Sequence, residues 1–369
     1  MEPLWALLNL LEPSSIVLIA TAVFVVLASA QRALSYEKEA DRHRDFAEAS
    51  ITLDTSQALM IPVASSCSLL LMFYLFSSLS QLVTAFTAVA SASSLAFCVA
   101  PYVKYTNSKM SPLNPVISRC CCGALIRTQA MLVIISVGMV AAWLVSGHWV
   151  LNNILGISIC IAFVSHVRLP NIKICALLLM CLFVYDIFWV FFSERFFGEN
   201  VMVSVATQQA SNPMHTVANS LNLPGLKSIT KKLDLPVKLL FPRHLFGEPV
   251  GSNGEFMMLG LGDMAIPGML LALVLCFDHR KGRDFDMELT FPKGNGTKYI
   301  WYAASGYAAG LVAALAAGVL TRSPQPALLY LVPSTLGPVA FAAWTRSELN
   351  ELWTGPRPVV TDKVRLLEV

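Results

Sequence analysis

The sequence predicts an all-α membrane protein of nine transmembrane helices, and three observations carry that prediction. The 369 residues are 56% hydrophobic and 13% charged, with a mean hydropathy of +0.63, too apolar for an ordinary water-soluble chain. Nine stretches reach the roughly 20 mostly apolar residues needed to cross a hydrocarbon core about 30 Å thick. Apart from Arg322 and the six in the long 194–255 connection, where the positive-inside rule has little force, Lys and Arg fall into alternate connections between those stretches.

The first span, 14–33, reads as uncleaved: it is long, its leading stretch carries Glu2 and Glu12 without Lys or Arg, and Arg32 closes it. Spans 57–77 and 82–102 are joined by a short connection near 78–81, and spans 129–147 and 149–167 by little more than His148. Span 174–193 leads into the longest connection, 194–255, where short apolar runs alternate with Pro and Gly. Its best strand candidate is PVKLLFP, Pro236 to Pro242. Spans 256–277, 299–320 and 326–345 complete the set, and with no solenoid-type repeat the chain reads as one polytopic domain, 1–369.

The basic residues cluster at 32–56, 103–128, 168–173, 278–298 and after 345, while the connections near 78–81 and 148 carry none. By the positive-inside rule the N-terminus is expected in the lumen, the C-terminus in the cytosol and the 194–255 loop in the lumen. Asn295, in the sole N-x-[ST] acceptor Asn295-Gly296-Thr297, is then cytosolic and unglycosylated. A net charge of +3, dispersed between spans, gives no basic face for nucleic acid. Cys120, Cys121 and Cys122 form a run in a basic loop, where acylation and plain free thiols are both open readings. The six histidines show no metal-ligand spacing, and no metal or other cofactor is expected.

Chemistry enters with CLFVYDIFWVFF, Cys181 to Phe192, where Asp186 sits inside an apolar span. A carboxylate there costs on the order of 3 kcal/mol to insert, so it is expected to face protein or a watery cavity. Asp263, in FMMLGLGDMAIPG, is the candidate partner, since Glu194 and Glu255 lie at span ends. With spans ending near Ser193 and beginning near Phe256, each aspartate lies roughly 10 Å from the same face. Two carboxylates meeting in a low-dielectric site tend to share one proton, the arrangement that activates water in an aspartic protease. A buried structural pair and a proton or cation relay remain open on spacing and depth.

The neighbours add detail. Gly260 and Gly262 beside Leu261 would let a substrate backbone or another helix approach Asp263, and Tyr185 offers a hydroxyl next to Asp186. SPQPALLYLVP, Ser323 to Pro333, opens the last span with prolines that disturb the helix.

Tyr185-Asp186, Gly260-Leu261-Gly262-Asp263 and Pro326-Ala327-Leu328, in that order in spans six, seven and nine, resemble the YD, GxGD and PAL motifs of the intramembrane aspartyl proteases of the presenilin and signal peptide peptidase class. The strings FVYDIFWVFF, MLGLGD and QPALLYLVP are similar to the signal peptide peptidase branch, and in particular to its short plant members. The resemblance implies the presenilin/signal peptide peptidase fold, Asp186 and Asp263 as the catalytic pair, and Pro326, Ala327 and Leu328 as residues that shape the site and hold unwound substrate. It also implies hydrolysis within single-span type II membrane segments or signal peptides, without partner subunits. The terminus RLLEV carries no lysine-based retrieval signal, so endosome or Golgi membrane is expected rather than the endoplasmic reticulum. Whether the chain forms a homo-oligomer is left open by the sequence.

Overall fold

The computed structural model describes residues 12–42, 51–110, 116–120, 123–212, 232–243, 256–281, 298–321, 323 and 325–355. Asn295, Cys121 and Cys122 lie outside them, and Cys120 ends a short strand, Val116–Cys120. Among the described residues there are nine candidate spans, and most boundaries fall within a few residues of those expected.

Helix α1 (Pro13–Arg42) is followed by a two-residue strand, β1 (Ile51–Thr52), and then by α2 (Thr55–Met110), which carries two of the spans, Thr55–Phe76 and Ser78–Val103. Run straight, α2 would extend roughly 84 Å, far beyond a bilayer. Its contacts show that it turns back. Just before α2 the Leu53 N–H donates to the Arg168 carbonyl, and Phe97 packs on His166 at that same end of the bundle, whereas Phe73 between them packs on Phe197 at the opposite end. The expected connection at 78–81 is therefore a reversal that stays helical, not a loop. Its sequence, Ser-Ser-Leu-Ser-Gln over 77–81, has no Gly or Pro to stop a helix.

The hairpin β2 (Val116–Cys120) and β3 (Gly123–Ile126) leads to α3 (Arg127–Ser146) and α4 (Trp149–His166), after which β4 (Val167–Arg168) pairs in parallel with β1. Helix α5 (Ile172–Phe197) starts where the Asn171 side chain accepts the Ile174 N–H at 2.9 Å. Its turn Phe188–Phe192 is wound as a π-helix, and it runs past the expected end near Ser193. The long connection holds α6 (Val201–Thr207), β5 (Ala210–Ser211), β6 (Lys232–Leu233) and β7 (Lys238–Pro242), the last on the expected strand stretch.

The seventh span departs most from expectation. Residues 256–260 form a strand, β8 (Phe256–Gly260), antiparallel to β7, and α7 (Gly262–Arg280) begins only after Leu261. Phe256, Met257, Met258 and Leu259 make an apolar run that periodicity does not assign to helix or strand, and the pairing with β7 decides it. Helices α8 (Tyr299–Thr321), α9 (Ala327–Thr345) and the short α10 (Leu349–Thr354) follow.

Helix α7 is the axis of the bundle: 78% of its span is buried, against 0% for Thr55–Phe76, which lies at the bundle's edge. It packs against α1, α4, α5, α8 and α9, with Leu270, Leu271 and Val274 fully enclosed. Helices α8 and α9 approach most closely, because Gly306 and Gly310 lie on Ser334; a methyl at either glycine would collide with its carbonyl or hydroxyl.

Candidate active site

Asp186 projects from α5 just before the helix widens into its π turn, and only 3% of it is exposed. Single π turns of this kind re-aim the residues around them and recur at functional sites. The turn is held from outside: Trp189 Nε1 donates to Ser66 Oγ at 3.1 Å, and Asn200 Nδ2 donates to the Val190 carbonyl at 2.9 Å. Tyr185 is half-buried next to it, its ring tilted towards Trp189.

Helix α9 begins at Ala327 with Pro326 as its extended N-cap, so the Leu328 N–H belongs to the first turn and has no carbonyl partner within the helix. It donates instead to Asp186 Oδ2 at 3.0 Å, in a buried contact. The aspartate thus sits at the positive end of α9's dipole. This is what Pro326-Ala327-Leu328 contributes: the proline ends the preceding irregular stretch, and the amide two residues on is freed for Asp186.

Asp263 lies in the first turn of α7, directly after the strand. The equal depths expected from seven residues of helix on each side do not hold in that form, because β8 replaces the helix and α5 is longer. The levels are nevertheless comparable. The five-residue strand covers about 16 Å at strand rise, and the helical run from Asp186 to Phe197 also covers about 16 Å. The helices that carry the two carboxyl groups, α5 and α7, pack against each other.

The glycines around Asp263 differ in what they permit. A Cβ on Gly260 would stand 3.3 Å from Asp263 Oδ2, a tight contact that would shift the carboxylate by a few tenths of an ångström. A Cβ on Gly262 would meet nothing nearer than Ile266 at 4.0 Å, and Gly262 is exposed. Its bare backbone borders a cavity of about 510 Å³ that is walled by Ile61 and Ser65 of α2, Leu182 of α5 and Ile266 of α7. The site thus offers two carboxylates beside an apolar trough.

Several residues that place the site were not found by sequence reasoning. Asn153 of α4 grips β7 with both ends of its amide: Nδ2 donates to the Leu240 carbonyl at 2.7 Å, and Oδ1 accepts the Leu240 N–H at 2.8 Å. Asn152 Nδ2 donates to the Lys238 carbonyl at 3.0 Å, and Gly156 lets the Pro236 carbonyl come close. Strand β7 in turn aligns β8, and β8 delivers Asp263. Asp278, at the end of α7, is fully buried and accepts the Ile300 N–H at the start of α8. A buried carboxylate capping a helix is therefore not distinctive here; a second carboxylate on a packed neighbouring helix is. Among the described residues no group of three or more His, Cys, Asp or Glu side chains forms a metal-ligand set.

Comparison with known proteins gives a consistent picture. The profile of the family described as Signal peptide peptidase matches residues 45–358. Signal peptide peptidase-like 1 of Oryza sativa subsp. japonica is 69% identical over 371 residues, covering 100% of both chains. Signal peptide peptidase-like 1 of Arabidopsis thaliana is 70% identical over 358 residues, 96% of each chain. Signal peptide peptidase-like 2B of Mus musculus is 31% identical over 301 residues, 78% of this chain and 46% of its own. No solved structure matches.

Proposed function

This chain belongs to the signal peptide peptidase family and is a multi-pass intramembrane protease, and we propose that its chemistry is aspartic, carried by Asp186 and Asp263. The observation that carries this reading is the placement of two intramembrane carboxylates on the packed helices α5 and α7, one of them bonded by the first free amide of α9. The Leu328 N–H and the α9 dipole favour Asp186 as the carboxylate, so Asp186 is the base and Asp263 carries the shared proton. Asp186 takes a proton from water, whose oxygen attacks the scissile carbonyl while Asp263 gives its proton to the developing oxyanion. As the C–N bond breaks, the proton held by Asp186 passes to the leaving nitrogen. Gly260, Leu261 and Gly262 leave room for an unwound substrate backbone, Tyr185 and Pro326-Ala327-Leu328 shape the site, and the cavity takes apolar side chains.

The whole chain acts as one polytopic unit on single-span type II segments or signal peptides. The N-terminus is lumenal and the C-terminus cytosolic, as the distribution of basic residues supports, and the membrane is that of endosome or Golgi. A proton or cation relay would use the same acids, but the family match favours proteolysis.

The test is a membrane-spanning peptide reconstituted with purified protein, its products identified by mass. Asp186→Asn and Asp263→Asn keep size and hydrogen bonding but cannot exchange the proton, so each is expected to insert normally and give no product. The same products at a comparable rate from either variant would remove that aspartate from the mechanism.

A further inference from the structure

Where α1, α4 and α7 finish, at the end of the bundle that holds β1 and β4, they enclose a second cavity, of about 60 Å³. Ala33, Val164, Ala272 and Leu273 form its apolar wall, and Val167 and Met269 separate it from the trough beside Asp263, since they line both. The rest of its lining includes three charged side chains, Glu37, Arg168 and Arg280. Arg168 Nη2 is buried and has no hydrogen-bond partner among the described residues, although buried guanidinium N–H groups normally have one. Among the described residues no ion pair joins Glu37 to either arginine. Arg168 is also held from behind. Its carbonyl accepts the Leu53 N–H at 3.0 Å, and its guanidinium stands 5.8 Å from the centre of the Tyr36 ring.

We propose that this cavity binds a phosphate group, with the Arg168 and Arg280 guanidiniums as its donors. The planar fork of arginine matches phosphate oxygens, and an acceptor here would meet the N–H that the protein leaves unpaired. Two guanidiniums against one carboxylate leave a single positive charge, which a monoanionic phosphodiester cancels and a doubly charged group overshoots. Glu37 therefore sets the selectivity. All three residues stand at helix ends, the level of lipid headgroups, so the phosphate belongs to an anionic phospholipid or to a soluble ion of the same chemistry. Bound there, it bridges the strand that follows α4 to the last turn of α7, the helix whose first turn carries Asp263.

The experiment is native mass spectrometry of the full chain in micelles supplemented with phosphatidylglycerol or phosphatidylcholine, with thermal unfolding in the presence and absence of inorganic phosphate. One phosphatidylglycerol is expected to be retained per chain in preference to phosphatidylcholine. Arg168→Gln should weaken that retention ~10- to 100-fold, as loss of hydrogen bonds to a charged group does, and Glu37→Gln should strengthen it. Stabilisation by inorganic phosphate that Arg168→Gln abolishes, without lipid retention, upholds the site and assigns it to a soluble ion. Equal retention by wild type and Arg168→Gln overturns the proposal. If Arg168→Gln does not fold, Glu37→Gln decides, and binding no tighter than wild type overturns it. Binding of neither probe also overturns it and leaves Arg168 Nη2 to water. None of these readouts involves Asp186 or Asp263, so the proteolytic reading stands or falls separately.

Discussion

The Leu328 N–H donates to Asp186 Oδ2 at 3.0 Å across 142 residues of sequence, joining the sixth span to the start of the ninth. Leu328 therefore acts through its backbone as well as through its buried side chain.

That division can be separated by substitution. Leu328→Ala keeps the amide and loses packing, whereas Leu328→Pro removes the donor in a helix's first turn, where proline is best tolerated. Leu328→Pro is expected to cut cleavage ~10- to 100-fold below Leu328→Ala. Initial rates on a spanning peptide, with abundance matched, check it; equal rates would show that the amide contributes nothing.

Gly260 and Gly262 make different predictions. Gly260→Ala presses on Asp263 itself, so kcat falls. Gly262→Ala has room within the folded chain, so its unfolding temperature stays at the wild-type value, while KM for a spanning peptide rises because the new methyl stands where substrate backbone would pass. A wild-type KM in Gly262→Ala would place substrate elsewhere.

Asn153→Leu deletes both hydrogen bonds to Leu240 and leaves a buried amide and carbonyl unpaired. A loss of about 1–3 kcal/mol is expected, with reduced cleavage because β7 aligns the strand that carries Asp263. Thermal unfolding with and without an aspartyl protease inhibitor measures it; unchanged stability would show that the grip is redundant.

The orientation read from basic residues predicts that Asn295 carries no glycan in the native membrane. A glycosidase-sensitive mass shift that Asn295→Gln abolishes would reverse the orientation.

Much of the site was legible because membrane physics makes its exceptions conspicuous. An aspartate within an apolar span, glycines before a second aspartate and prolines at a span's start each violate a local expectation, and the first and the last of these meet in the hydrogen bond from Leu328 to Asp186. The seventh span was misread for the converse reason. Phe256 to Leu259 is apolar enough for a bilayer helix, and nothing local shows that β7 and Asn153 satisfy its neighbourhood as a strand. The reversal inside α2 carried no breaker to announce it. Asn153 looks unremarkable in sequence, since one polar residue near a span end is ordinary; its role arises from a partner far along the chain.

The close seam between α8 and α9 bears on how inactivating mutations should be distributed and repaired. A methyl at Gly306 or Gly310 displaces α9, and α9 carries the amide that holds Asp186, so a screen for lost cleavage should recover these glycines although neither holds a reacting atom. Compensation should differ between them. The nearest obstacle at Gly310 is the Ser334 side chain, so Ser334→Gly or Ser334→Ala should act as a second-site suppressor of Gly310→Ala. At Gly306 the obstacle is the Ser334 main-chain carbonyl, which no replacement at 334 removes, and Gly306→Ala should have no suppressor at that position.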